Sequence, residues 1–277
     1  MATRLFEGVE HASLYDKYRP TYPQQLIDSI TQFMKDNCKL NDGFESAVDI
    51  GCGTGQLTRD LASSFKNVIG VDVSEAQLQC ARHSTMNKHN IVYKFGDEQN
   101  IPVDPSSVDL VTCAQAVHWL DFDKFCEEVD RILKPSGCLA VIGYSLPKIY
   151  YQGKLHSGLN RLFNELFSGP LKPYIAKQID LLDNRYHDLK LPYNINRRDD
   201  SLVIRKDTTV TGIINCASSY SHYQRYKKDN PDKKDPLEEL KLKMTLEVGK
   251  QLDSTDEIEV TTEDSIFLLL AAKNSEN

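Results

Sequence analysis

Between residues 23 and 35, apolar side chains fall at Leu26, Ile27, Ile30, Phe33 and Met34. This is the i, i+3, i+4 spacing of an amphipathic helix, and it follows Pro23, a residue suited to a helix start. The period then changes. Residues 46–50 are a short apolar run ending in Gly51-Cys-Gly-Thr-Gly55, and residues 56–65 resume helical spacing, so strand, glycine turn and helix are predicted in that order. Residues 67–73 read as a second strand, and 75–83 as a helix with Ser74 as its N-cap and Gln77 three positions on. Further strands are predicted over 91–95 and 108–114, a helix over 123–133, and a strand over 138–144 after a turn at 134–137. Strands alternating with helices imply a mostly parallel sheet covered on both faces.

From residue 145 to 249 the rhythm gives way to long, Tyr- and Lys-rich, mainly helical segments punctuated by Pro170, Pro173, Pro192, Pro231 and Pro236. This reads as an inserted cap on a core formed by residues 1–144. Two β-rich runs, 257–261 and 265–272, are expected to close the core as an antiparallel hairpin within residues 250–277.

At 277 residues the chain can bury a full hydrophobic core, and 40% hydrophobic with 26% charged residues is an ordinary globular composition. A net charge of -7 and a pI near 5.5 supply no overall basic field, so nucleic acid is not an expected partner. No run approaches the 18 or so apolar residues of a membrane span, and no membrane partner is expected. The N-terminal stretch lacks the apolar core of a secretory signal, which makes a cytoplasmic location the expectation. The seven cysteines are scattered, with no CxxC pair, so neither a disulfide framework nor a metal site is suggested.

The candidate chemistry sits in the glycine turn. Gly51, Gly53 and Gly55 follow a strand and precede a helix, where absent side chains let the backbone turn sharply and approach a ligand; a purely structural turn is the alternative. Asp72, 21 positions after Gly51 at the end of the second strand, can accept two hydrogen bonds from a ribose diol. The G-x-G-x-G spacing departs from the form that cradles a pyrophosphate, and Asp49 precedes it. A nucleoside ligand carrying a cationic amino group suits this arrangement, and S-adenosylmethionine (SAM) has both.

VDIGCGTG, IGVDVS, GDEQNIP, VDLVTCAQAVHWLD and RILKPSGCLAVIGY resemble, in order and spacing, the successive motifs of class I SAM-dependent methyltransferases over residues 15–144. Adding YDKYRPTYP, the chain is similar to the branch containing trans-aconitate methyltransferase-like, small-molecule carboxyl methyltransferases. The resemblance implies an α/β Rossmann-like fold, with a mostly parallel seven-stranded sheet, a C-terminal antiparallel hairpin and an inserted helical cap. It implies SAM as cofactor, with the three glycines along the methionyl part, Asp72 on the ribose, Val73 packed on the adenine and Asp97 accepting from its amine. Gln115 and Ala116 would border the sulfonium. Tyr18 and Arg19, with Tyr15, would fold over the cofactor from an irregular segment that Pro20 and Pro23 keep from being helical.

Each of these residues also has a structural reading. Asp97 can cap a turn, Trp119 can pack in the core, the tyrosines and Arg19 can pack on the surface, and the aromatic, basic stretch 218–228 can be a solvated helix face rather than a cap lining. His118 beside the methyl donor suits general-base or hydrogen-bonding duty, or is held structurally. The expected activity is methyl transfer to a small-molecule acceptor, a carboxylate among the candidates, by a monomer or homodimer. Methylation of protein or RNA, or SAM binding without turnover by a regulatory protein, are the rival expectations.

Overall fold

The short apolar runs form adjacent strands, the central ones buried along nearly their whole length. The computed structural model describes residues 8–38, 43–250 and 257–274. β1 (Ser46–Ile50) lies between β2 (Asn67–Asp72) and β4 (Val108–Ala114), with β3 (Ile91–Phe95) beyond β2 and β5 (Leu133–Tyr144) beyond β4, all parallel. Successive residues enter opposite layers, as a period of two requires. Ala47, Leu110 and Ala140 pack with α2 (Gln24–Asn37) and α3 (Gln56–Leu61), while Val48, Val111 and Val141 pack with α5 (Phe122–Ile132). α4 (Glu75–Ser84) is capped as expected, Ser74 accepting from the Gln77 amide at 3.3 Å.

Three local expectations change. β5 begins at Leu133 and runs through the segment expected as a turn, with Ser136 at φ 67 and a register shift between Val108 and Leu110 absorbing the irregularity. The segment ahead of α2 is helical for longer than its prolines suggested: α1 spans Val9–Tyr18, and the chain turns extended at Arg19, directly before Pro20 (φ -63, ψ 151), and is still extended at Pro23 (φ -73, ψ 150). The hairpin expected from residues 257–261 and 265–272 is instead one strand, β10 (Glu259–Ala272), because both runs are apolar on the same alternating faces and the polar residues between them remain extended.

The antiparallel closing pair is present with other partners. The second half of β10 lies between β5 and β8 (Ile195–Asp199), completing the seven-strand order β3-β2-β1-β4-β5-β10-β8. Its first half pairs with β6 (Lys148–Tyr151) and β9 (Val203–Thr209), and β6 carries the two-residue β7 (Lys154–Leu155), for ten strands in all among the described residues. The segment 145–249 therefore returns to the sheet as well as covering it. Its helices α6 (Ser157–Ser168), α7 (Ile179–Asp183), α8 (Val210–Ser218), α9 (Ser221–Asp229) and α10 (Pro236–Glu247) stand over one end. α6, α8 and α10 share an apolar cluster with Leu159, Phe163, Ile213, Leu240 and Met244 inside. No described helix is long and apolar enough to cross a membrane.

Candidate active site

The carboxyl ends of β1, β2, β3 and β4 open onto a cavity with about 730 Å³ of empty space, the place where open parallel sheets bind ligands. Gly51 and Gly53 line it from the first turn, Asp72 and Val73 from the second strand, Asp97 from the third, and Gln115 and Ala116 from the fourth. Tyr15 of α1 and Trp119 close it.

The turn is built by its glycines for different reasons. Gly51, Gly53 and Gly55 all have positive φ (66°, 54° and 79°). A Cβ at Gly51 would strike that of Ala116, and one at Gly55 would strike the Tyr93 ring, so both permit close packing within the protein. At Gly53 the nearest atoms lie 3.7 Å and 3.9 Å away, on Gln77 and Tyr15, and the missing side chain opens onto the cavity. Asp72 holds this turn in place: Oδ2 accepts from the Gly53 amide and Oδ1 from the Ser74 amide, each at 2.8 Å. Asp97 does cap a turn, Oδ1 accepting from the amides of Gln99 and Asn100 at 3.1 Å and 3.0 Å, while the residue still borders the cavity.

Four residues expected at the cofactor do not line this cavity: Gly55, which packs toward the Tyr93 ring, and Asp49, Tyr18 and Arg19. Asp49 is 1% exposed, its carboxylate turned between strand and helix to accept from Thr58 Oγ1 (2.7 Å) and Thr112 Oγ1 (2.8 Å). Burial raises its pKa to about 6, the two threonine hydroxyls opposing. Any interaction with a ligand's ammonium is through the field alone. Tyr18, at the end of α1, borders a separate small cleft with Lys206 and Asp264. Arg19 reaches a second chamber.

That chamber, with about 1300 Å³ of empty space, shares Tyr15, Gln115 and Trp119 with the first and extends under the cap between α6, α7 and α9. Gln115 sits at the junction in left-handed conformation (φ 54), held by its amide donating to Ile142 O (2.8 Å) and its Nε2 donating to Tyr144 O (2.9 Å). Arg19 lies over the rings of Tyr15 (4.9 Å) and Tyr220 (4.2 Å), with Nε donating to Ser219 Oγ at 2.8 Å. Its guanidinium makes no ion pair among the described residues. His118 is 5% exposed, Nδ1 is 2.7 Å from the hydroxyl of Tyr186, and burial with the Arg19 charge pushes its pKa down to about 3. It is neutral at physiological pH and too weak a base to take a proton readily.

A family model described as a methyltransferase domain matches residues 48–141, the part of the chain that carries the glycine turn, Asp72, Asp97 and the β4 end. The chain carries a class I SAM-dependent methyltransferase domain. A protein of Dictyostelium discoideum named as a methyltransferase is 29% identical over 259 residues, covering 94% of this chain and 92% of that protein. A protein of Saccharomyces cerevisiae, named as a SAM-dependent methyltransferase, is 28% identical over 80% of this chain and 82% of its own. Among solved structures, a type II methyltransferase from Anaeromyxobacter dehalogenans superposes with a TM-score of 0.69 at 23% identity, over 91% of this chain and 97% of that one. The cofactor of this methyltransferase is SAM. Its second chamber draws on residues that sequence reasoning did not single out, namely Tyr144, Arg185 and Tyr186, alongside Tyr220 and His222 of the aromatic, basic stretch. Tyr186 and Arg185 gave no signal because both adopt positive φ (58° and 54°) in a segment without glycine.

Proposed function

We propose that SAM occupies the first cavity and that its methyl group passes to a small-molecule carboxylate bound in the second. Gly51 and Gly53 would lie along the methionyl part, Asp72 on the ribose diol, Val73 and Asp97 at the adenine, and Gln115 and Ala116 beside the sulfonium. The donor-side residues fit this group: of the three turn glycines, the one with room for a side chain, Gly53, faces the cavity, and the acid at the end of β2 borders the same space. SAM supplies an activated methyl on a sulfur that leaves as a neutral thioether, so the chain's task is alignment, which in well-oriented reactions removes roughly 7–11 kcal/mol of barrier.

Arg19 carries the choice of acceptor. A half-buried guanidinium stacked between two tyrosines, with no carboxylate partner among the described residues, is a planar fork suited to a substrate's own carboxylate. An ionised carboxylate needs no general base, which agrees with a neutral His118 that hydrogen-bonds instead. The likeness to the trans-aconitate methyltransferase branch makes trans-aconitate one probe among several.

Release of S-adenosylhomocysteine is measured with a panel of metabolite carboxylates and their amides. The expected outcome is turnover of at least one carboxylate, a kcat/KM that is flat from about pH 6 to 8, and a raised acceptor KM in Arg19→Lys. Turnover only with proteins or RNA, or a rate that rises tenfold per pH unit, would overturn the reading.

A further inference from the structure

The stretch from Ser219 to His222 turns from α8 into α9 along the wall of the acceptor chamber. α9 has no side-chain cap: Tyr220 stands at its N-cap without offering an acceptor, and the first helical bond is Gln224 N–H to Tyr220 O. The amides of Ser221, His222 and Tyr223 therefore precede the helix's own hydrogen bonding, at its positive end. An uncapped terminus alone is common. Here two further cationic or polar features stand on the same wall. Arg19 is fixed to Ser219 by its Nε and lies 4.2 Å from the Tyr220 ring centroid. His222, wedged between Phe167 and Tyr220 with ring centroids 5.3 Å from each, has both ring nitrogens buried and without a hydrogen-bond partner among the described residues. Leaving such atoms unmet is unfavourable, and an anionic ligand group can satisfy the one that carries the N–H.

We propose that Arg19, His222 and the first turn of α9 form one anion-binding subsite in the acceptor chamber, which takes a carboxylate of the substrate and selects charged acceptors over uncharged ones. The proposal rests on the reading that the second cavity holds the acceptor, and it assigns the residues that recognise it. Backbone amides at a helix N-terminus and a guanidinium both complement an anion. A neutral imidazole adds one N–H donor. Burial, with the charges of Arg19 and Arg225, pushes the His222 pKa down to about 4, so the ring is neutral when no anion is present. Asp183 and Arg185 face the chamber from the α7 side, and Arg225 is engaged with Tyr174 O at 3.0 Å.

The test saturates the whole protein with S-adenosylhomocysteine and titrates benzoate, succinate and trans-aconitate, each against its amide, following the His222 ring by NMR. A bound carboxylate is expected to raise the His222 pKa by at least one unit while the amide leaves it in place. His222→Phe, which keeps the ring stacking, is expected to weaken carboxylate binding about tenfold and to leave amide binding and S-adenosylhomocysteine affinity unchanged. If S-adenosylhomocysteine binds but no carboxylate moves the His222 resonance, or if His222→Phe binds carboxylates as the native protein does, the subsite is overturned. Failure of S-adenosylhomocysteine to bind would overturn the donor-site reading on which it stands.

Discussion

Asp72 accepts hydrogen bonds from Gly53 and Ser74, so it both shapes the glycine turn and borders the first cavity, the one proposed for SAM. Asp72→Ala is expected to weaken SAM binding by about 1.5–3 kcal/mol, the range for hydrogen bonds to a charged group, and to lower the melting temperature as two amides lose their acceptor. Calorimetry with S-adenosylhomocysteine reads the first effect and thermal unfolding the second; Asp72→Asn, which keeps one acceptor, should separate them. Asp49 acts through pH. Its folded pKa, raised to about 6 by burial against an ordinary 3.8, means that its favourable contribution is complete below about pH 4 and is lost as pH rises through 6. The loss amounts to about 3 kcal/mol. In Asp49→Asn the decline in urea-unfolding free energy between about pH 4 and 7 should shrink by roughly that much, and an unchanged slope would show that the carboxylate is already ionised when buried.

The turn between β1 and α3 separates two kinds of glycine requirement. Gly55→Ala should destabilise the fold, because a Cβ there meets the Tyr93 ring as well as an unfavourable φ of 79°. Gly53→Ala incurs only the backbone cost of about 1–2 kcal/mol, yet it fills space on the cavity side and should weaken S-adenosylhomocysteine binding more than it lowers stability. Comparing melting temperature and affinity for the pair tests the assignment. The βα units around this turn were legible in the sequence because each strand is a continuous apolar run next to a strongly periodic helix, as Ile27, Ile30, Phe33 and Met34 illustrate. β10 was not: its pairing with β8 and β9 is long-range, and no local pattern distinguishes one long strand from two short ones. The spacing of Gly51 and Asp72 pointed to the cavity that both residues line and that is proposed for SAM. The proposed acceptor wall was not legible in this way, since Arg19, His118 and His222 come together only through tertiary packing, and Tyr18 borders a separate cleft because α1 stays helical through it.

Across the whole molecule, α1 is tied to both halves. Asp16 pairs with Arg59 at 3.2 Å and accepts from Ser84 Oγ at 3.0 Å on the core side, while His11 Nε2 and Arg19 Nε reach Ser219 at 2.8 Å each on the cap side. Between them Tyr15 lines both cavities. Asp16→Ala should speed amide hydrogen exchange along α1 and raise KM for donor and acceptor together, with a modest change in melting temperature, since a single ion pair still touched by water contributes about 1 kcal/mol. A KM change confined to one ligand would show that α1 does not couple the cavities. β10 has a consequence of another kind. Its residues fill the slot between β5 and β8 and the slot between β6 and β9, so four strands wait for it. During synthesis β5 to β9 leave the ribosome with unsatisfied edges while α8, α9 and α10 are still being translated. Open strand edges are templates for association with other chains. The nascent protein thus passes through a vulnerable interval that ends only when residues 259–272 emerge and slide into place, and its dependence on chaperones should be concentrated in that interval.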